Sequence, residues 1–183
     1  LDKRVAEIAT ALFSLGVRAG DRMVVVSENC IALAGLLLAA SKLDAWAIVA
    51  NPRLSARELD QIRDHSGARR MFLTSGVSKE AAAHASRLGA ENRQLGPLQD
   101  IGIGALNESA TVEPVEVDPA KQVAVLVYTS GTTGNPKGAL YSHRAIVLNA
   151  LVGSTPGVLA LSARETILPV VPMFHINAWC IPY

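Results

Sequence analysis

Apolar residues in the first half of the chain follow two periods, one typical of amphipathic helices and one typical of buried strands. The helical period is first carried by Val5, Ile8, Ala9, Leu12 and Phe13. Gly16 follows these residues, and a glycine commonly ends a helix because it accepts a left-handed backbone. The pattern predicts a helix near the start of the chain.

Three short apolar runs alternate with further helical patterns. The runs cover residues 22–26, 45–50 and 71–74. An apolar helix that Asn29 could cap is expected after the first run, and a helix over residues 78–88 after the third. The helix after the second run opens with the capping-box residues Ser55 and Glu58 and reaches about His65. This alternation predicts an α/β fold with largely parallel sheets flanked by helices.

A segment rich in hydroxyls and glycines follows a further strand, which is predicted at 122–128. Residues 129–138 contain four hydroxyl side chains, three glycines and one lysine. Glycines let backbone N–H groups approach an anion closely, and hydroxyls donate to phosphate oxygens or join a metal shell. Lys137 adds a positive charge, and Pro136 stiffens the chain before it. This composition is typical of a phosphate-binding loop, but a polar hairpin is an equal alternative on composition alone.

Two common nucleotide-binding motifs do not describe this chain. A P-loop requires Gly immediately before the lysine and Ser or Thr after it, where the sequence has Pro136 and Gly138. Gly102 and Gly104 lack the third glycine of a dinucleotide fingerprint, so we interpret them as a pair of loop glycines. The phosphate-binding interpretation therefore depends on the longer string around Lys137.

That string, Tyr-Thr-Ser-Gly-Thr-Thr-Gly-Asn-Pro-Lys-Gly at 128–138, resembles the signature of the adenylate-forming superfamily. The superfamily includes acyl-CoA synthetases, luciferases and the adenylation domains of peptide synthetases. Tyr-Ser-His-Arg at 141–144 and Asn-Pro-Arg-Leu at 51–54 are also similar to it. The string Val-Pro-Met-Phe-His-Ile-Asn-Ala-Trp-Cys-Ile-Pro-Tyr at 171–183 is similar to the segment that shapes the acyl pocket in medium- and long-chain acyl-CoA synthetases. The resemblance covers essentially the whole chain.

The resemblance implies ATP-dependent activation of a carboxylic acid, with a fatty acid favoured. The carboxylate attacks the α-phosphate of Mg-ATP to give an acyl-adenylate and pyrophosphate, and the thiol of CoA then displaces AMP. ATP, Mg²⁺ and CoA are thus the implied cofactor and co-substrates. Thr129 is the implied Mg²⁺ contact, by its position in the motif. The implied phosphate-binding residues are Thr129, Ser130, Gly131, Thr132, Thr133, Gly134 and Lys137.

The implied acyl and nucleotide pocket consists of His175, Ile176 and Trp179. Without the resemblance, a lone histidine near apolar residues is usually a core group, and a tryptophan in an apolar run usually packs in a core. The resemblance instead places His175 in the acyl pocket, makes Trp179 the gate of a fatty-acyl tunnel, and puts Ile176 and Trp179 near the nucleotide. Adenylation domains for amino acids usually carry Asp at the position of His175, so an acid without an α-amino group is favoured.

By the same resemblance, residues 1–183 form part of an N-terminal, ATP- and acyl-binding domain, without the remainder of that domain or the C-terminal lid domain. The family's acidic metal ligand, ribose aspartate and adenylation lysine are not located before Tyr183. No catalytic residue is therefore assigned, and the piece alone is expected to be inactive. The alternatives are another adenylate-forming enzyme, such as an aryl-CoA ligase or a luciferase-like enzyme, and a truncated, non-catalytic nucleotide-binding module.

Composition narrows the partners and the compartment. Lys and Arg total 17 against 16 Asp and Glu, so no basic surplus favours nucleic acid. The longest apolar stretch, 30–41, is too short to cross a bilayer of about 30 Å. Cys30 and Cys180 form neither a disulfide framework nor a metal-ligand cluster, which favours a reducing, cytoplasmic compartment. Small-molecule substrates are the expected partners, and a homodimer of the parent enzyme stays an open alternative.

Overall fold

The computed structural model describes residues 1–129, 137–162, 164–166, 168 and 170–175, with the side chain of Thr129 left out. Helices and strands alternate through most of the described chain. The helices are α1 (Asp2–Ser14), α2 (Ile31–Lys42), α3 (Ala56–Ser66), α4 (Lys79–Arg87) and α5 (His143–Gly153). The strands are β1 (Arg22–Val26), β2 (Trp46–Ala50), β3 (Arg70–Leu73), β4 (Glu91–Leu95), β5 (Leu98–Ile103), β6 (Val123–Thr129) and β7 (Lys137–Ser142).

The strands form one mixed sheet in the order β4-β5-β3-β1-β2-β6-β7. The four inner strands β3, β1, β2 and β6 are parallel, while β5, β4 and β7 are added antiparallel at the two sides. The predicted α/β fold with a largely parallel sheet is therefore confirmed. Within the described residues, no helix combines the length and the hydropathy needed to span a bilayer.

The sheet separates two apolar layers. Helices α1 and α2 cover one face, where Leu12 and Leu36 are fully buried over Val25. Helices α3 and α4 cover the other face, where Leu59 and Ala81 are fully buried. Side chains alternate between the two faces along each strand. Because helices cover both faces at β1, successive side chains of this strand are buried, and its sequence is a continuous apolar run.

Two of the three predicted helix ends are confirmed and one is wrong. Ser55 and Glu58 form the reciprocal capping box at the start of α3, and Gly16 follows α1 with a positive φ of 93°. Asn29, however, does not cap α2. The cap is Cys30, whose Sγ accepts the N–H of Leu33 at 3.3 Å. The amide of Asn29 makes other contacts, which are described with the functional site.

The hairpin formed by β4 and β5 was not predicted from the sequence, and it corrects the interpretation of Gly102. This glycine lies inside β5 and pairs with Leu73 of β3. A Cβ at Gly102 would lie 2.9 Å from Ser75 Oγ and 3.0 Å from Ala85 Cβ. Gly102 is therefore a strand glycine, required because α4 and the loop after β3 approach the backbone closely; Gly104 follows the strand directly.

Candidate functional site

The candidate site lies at the edge of the sheet where the parallel strands end. The adjacent strands β1, β2 and β6 end there, and residues 27–30 and 51–55 follow β1 and β2. After β1 the chain enters α2 on one face of the sheet, and after β2 it enters α3 on the other face. Open α/β sheets commonly bind ligands at such a point, because diverging connections leave a crevice between them.

The hydroxyl- and glycine-rich segment connects two paired strands. Thr129 at the end of β6 pairs with Lys137 at the start of β7, in an antiparallel ladder that continues through Tyr128 and Gly138. The hairpin alternative drawn from composition is thus correct for the flanking strands, and it leaves the phosphate-binding interpretation of the intervening residues open. Ser130, Gly131, Thr132, Thr133 and Gly134 lie outside the described residues.

Lys137 is exposed at the neck of this hairpin. Its neighbour Gly138 leaves room for the ring of Tyr128, since a Cβ at Gly138 would lie 3.4 Å from Tyr128 Cζ and 3.3 Å from Leu126 Cδ2. The two strands therefore stay close up to the last pair before the loop. Lys137 and the backbone of Thr129 are held as neighbours, as the phosphate-binding interpretation requires.

Tyr128 anchors the end of β6 to α3. Its hydroxyl lies 2.8 Å from Nδ1 of His65, and the two rings meet edge to face with centroids 5.7 Å apart. Burial raises the pKa of the Tyr128 phenol, so the side chain is neutral at physiological pH. His65 cannot be identified as a partner from the sequence, because it meets Tyr128 only in the folded chain.

The second predicted site segment docks near the end of β1. Met173 is buried, and Phe174 packs against the same core cluster as α1 and α2. His175 is exposed, and its backbone N–H donates to the carbonyl of Pro172 at 2.9 Å. The side chain of His175 is thus not packed into the core of the described residues. Ile176 and Trp179 lie outside the described residues.

Asn29 connects this segment to the sheet. Its Nδ2 donates to the carbonyl of Val171 at 3.1 Å, and its Oδ1 accepts the N–H of Met173 at 2.6 Å. Next to it, Glu28 forms an ion pair with Arg53 at 2.9 Å, which joins the connections after β1 and β2. Lys137 and His175 thus lie at the same edge of the sheet, although no hydrogen bond between them occurs among the described residues.

The described residues do not contain a group of three or more His, Cys, Asp or Glu side chains able to hold a metal ion. The residue predicted to contact Mg²⁺ is Thr129, which lies at the hairpin neck and whose side chain is outside the described residues. A hydroxyl is a hard oxygen donor that suits Mg²⁺, and this ion commonly takes one or two protein ligands together with phosphate oxygens. The structure describes the backbone of Thr129 beside that of Lys137, and the Mg²⁺ contact of its hydroxyl stays a prediction.

Comparisons with known proteins show the family. The sequence profile of the AMP-binding enzyme family matches residues 1–183. The chain is 35% identical to a long-chain-fatty-acid–CoA ligase of Thermus thermophilus, covering 99% of this chain and 34% of that protein. It is also 35% identical to a medium-chain-fatty-acid–CoA ligase of Ectopseudomonas oleovorans, covering 100% of this chain and 36% of that protein.

A solved structure gives the same result for the fold. The long-chain-fatty-acid–CoA ligase FadD1 of Archaeoglobus fulgidus superposes with a TM-score of 0.73 and 28% identity, over 96% of this chain and 35% of that one. The chain thus spans about a third of the length of the curated relatives it matches. Since the family profile extends over all of the residues, this chain belongs to the AMP-binding enzyme family.

Proposed function

We propose that the chain is the ATP- and acyl-binding part of an AMP-forming acyl-CoA ligase whose substrate is a fatty acid. The observation that carries the proposal is the hairpin neck at the end of the parallel strands, where Thr129 pairs with Lys137 on either side of a segment rich in glycines and hydroxyls. The similarity to two fatty-acid–CoA ligases supports the substrate class.

The proposed reaction has two steps. The carboxylate of the acid attacks the α-phosphate of ATP, which forms an acyl-adenylate and releases pyrophosphate; the thiol of CoA then displaces AMP. Backbone N–H groups and hydroxyls of residues 130–134 would hold the β- and γ-phosphates, and the Lys137 ammonium would offset their charge. Mg²⁺, held in part by Thr129, would supply further positive charge to the phosphate oxygens. Positioning and charge neutralisation provide most of the catalysis in such phosphoryl-group chemistry.

The proposed acyl and nucleotide pocket is formed by His175, Ile176 and Trp179, with Trp179 as a gate and with Ile176 and Trp179 near the nucleotide. His175 is exposed at the sheet edge and carries no fixed negative charge that could pair with an ammonium. An amino acid would therefore bring its α-ammonium into the pocket without an anion at this position, which costs free energy. An acid with an apolar chain gains about 0.8 kcal/mol for each methylene that is buried.

We further propose that residues 1–183 belong to the N-terminal domain of a longer enzyme and are inactive alone. The acidic metal ligand, the ribose-binding aspartate and the adenylation lysine expected for the family would come from the remaining chain. Helix α5 supports this proposal because none of its residues is buried, and the exposed apolar side chains include Val147, Leu148, Leu151 and Val152. Such a surface is typical of one that packs against a further part of the protein.

The test is acid-dependent exchange of pyrophosphate into ATP by the full-length protein, measured with straight-chain acids, aromatic acids and amino acids. We expect kcat/KM to rise with the length of a straight-chain acid and then to level off when the pocket is full. A preference for amino acids would contradict the proposed substrate class. A preference for aromatic acids would indicate an aryl-CoA ligase. Nucleotide binding without exchange of pyrophosphate would indicate a non-catalytic module.

The role of Lys137 is tested in the same assay. Lys137→Ala in the full-length protein should slow acid-dependent exchange at least about tenfold, since that factor corresponds to about 1.4 kcal/mol of lost transition-state stabilisation. Lys121→Ala is the matched control, because Lys121 is an exposed lysine beside the opposite end of β6. Equal rates for the two variants would remove Lys137 from the proposed mechanism.

A further inference from the structure

The amide of Asn29 makes the same two hydrogen bonds with the segment 171–173 that a neighbouring strand would make. Its Nδ2 donates to the carbonyl of Val171, and its Oδ1 accepts the N–H of Met173. Pro172, between them, has no N–H that would need a partner. The two bonded backbone groups are separated by one residue, so the side chain of Asn29 fixes both the position and the direction of this short stretch.

This arrangement requires an amide. Oδ1 accepts and Nδ2 donates, whereas the carboxylate of an aspartate could only accept and would face the carbonyl oxygen of Val171. The bond from Met173 is 2.6 Å long and part-buried, so losing its acceptor would leave a backbone N–H without this partner. Met173 is itself buried in the core, and the polar clamp and the apolar contact therefore act on the same residue.

The backbone that carries Asn29 is held on both sides. Ser27 is fully buried and accepts a hydrogen bond from the hydroxyl of Thr74 at 2.9 Å. Glu28 is paired with Arg53, and Cys30 caps α2 through its Sγ. Asn29 thus lies in a well-anchored turn between β1 and α2. Such a turn can hold another segment of the chain in a fixed position.

We propose that Asn29 is a positioning residue for the acyl pocket. It holds the stretch 171–173 against the end of β1, and it thereby determines where His175, two residues further along, stands at the sheet edge. This inference rests on the proposed function, since it assigns Asn29 to the acid-binding side of that same site. The ATP-binding hairpin follows a different strand, β6, so the effect of Asn29 should be larger for the acid than for ATP.

The experiment compares Asn29→Asp and Asn29→Ala with Asn107→Asp in the full-length protein. Asn107 is a matched control because its amide also donates to a backbone carbonyl, that of Ala68 at 3.2 Å, and accepts a backbone N–H, that of Ser109 at 3.2 Å. Asn107 follows β5 and lies away from the end of β1. The measurements are of two kinds: hydrogen exchange of the peptide that contains Met173, and steady-state kinetics that give KM for a straight-chain acid and KM for ATP.

We expect the Met173 amide to exchange faster with solvent in both Asn29 variants. KM for the acid should rise at least about fivefold, the factor typical of one lost hydrogen bond, and KM for ATP should rise less. Asn107→Asp should change none of these quantities. Unaltered exchange at Met173 in folded Asn29→Ala would overturn the clamp. Faster hydrogen exchange at Met173 in the Asn29 variants, together with a KM for the acid equal to that of Asn107→Asp, would overturn the positioning role. Failure of the proposed function would show separately, because the wild-type protein would then not exchange pyrophosphate into ATP when a carboxylic acid is added.

Discussion

Helices α2 and α5 are built from similar residues and have different environments. Both are rich in Ala, Leu and Val or Ile, and neither has a pronounced polar face. Six residues of α2 are buried, including Leu33 and Leu36, whereas α5 has no buried residue. An apolar helix thus has half of its residues buried in one region and none in the other.

The difference follows from which elements each helix contacts. Helix α2 lies between α1 and the sheet, and Gly35 comes so close to α1 that a Cβ there would lie 2.8 Å from Ile8 Cδ1. Helix α5 contacts β6 and β7, and Ile146 packs at the margin of the core. Four apolar side chains of α5, at positions 147, 148, 151 and 152, are 49–60% exposed. Apolar composition therefore identifies a helix that needs to be covered without identifying what covers it.

The largest expected effect is a contrast between two leucine truncations. Leu36→Ala should lower the free energy of unfolding of the 183-residue chain by about 2–5 kcal/mol, because it leaves a cavity under α2. Leu148→Ala should lower it by less than about 0.5 kcal/mol, because this side chain is half exposed in α5. Urea denaturation followed by circular dichroism measures both values. Equal losses would show that α5 is packed as tightly as α2.

The same truncation of Leu148 in the full-length protein sharpens the contrast. If the remainder of the enzyme covers α5, as proposed, Leu148→Ala should cost clearly more stability there than in the 183-residue chain. An identical small loss in both would indicate that α5 stays exposed, and it would remove one support for the proposed domain organisation.

An intermediate effect is expected when a methyl group is added to a glycine in each region. Gly102→Ala should destabilise the chain by about 1–3 kcal/mol, since its Cβ would press on Ser75 and Ala85. Gly153→Ala, at the end of α5, should stabilise it by up to about 1 kcal/mol, because no atom lies within 4 Å and alanine favours a helix. Thermal unfolding of the two variants shows whether each substitution raises or lowers the stability of the chain. The contrast fails if Gly153→Ala is the more damaging change.

The smallest expected effect concerns the loss of folding stability at low pH. In the packed region, hydrogen bonds from Arg87 lower the pKa of the Asp60 carboxyl and join α3 to α4. A lowered pKa gives stability that is present above the unfolded value, about 3.9 for Asp, and that is lost as the pH falls through the folded value. Asp60→Asn should remove this contribution, which we expect to be below about 1 kcal/mol because the pair is partly exposed.

The control for this pH dependence is Glu165→Gln. A hydrogen bond from Ser162 lowers the pKa of Glu165, but this carboxylate is exposed and bonded locally, outside the packed region. Denaturant unfolding at pH 7 and at successively lower pH should show a flatter acid limb for Asp60→Asn and an unchanged one for Glu165→Gln. An unchanged limb for Asp60→Asn would show that the α3–α4 pair does not contribute.

The sequence predicts the parallel part of the fold well, because local signals and tertiary packing agree there. The first strand, 22–26, and the capping box at Ser55 are found where the pattern places them. The β4–β5 hairpin was missed because residues 91–94 are polar and exposed, so they lack the apolar alternation of a half-buried strand. The signal that could have revealed it is the Gly96-Pro97 pair between the two strands, with Gly96 at a positive φ of 58°.

Site residues were predictable only where a motif marked them. The strings around Lys137 and His175 identify the two segments, whereas their connection to the sheet depends on residues that are distant in sequence. Asn29 was expected to cap a helix, a common use for an asparagine after a strand. Its actual partners lie more than 140 positions away, and no local pattern indicates them. His65 was missed for the same reason, as a surface residue that meets Tyr128 only in the folded chain.

The paired neck of the β6–β7 hairpin has a consequence for chain entropy. Thr129 and Lys137 are ladder partners, so the Cα atoms of these two residues, which flank 130–136, lie about 4.5–5.5 Å apart. Closing a loop lowers the conformational entropy of the chain, and the loss grows with the length of the loop. Here the pairing of β6 with β7 has already closed the loop before a ligand binds. Under the proposed function, an arriving phosphate chain would not have to bring the loop ends together. More of the favourable contact energy would then be expressed as affinity for the nucleotide.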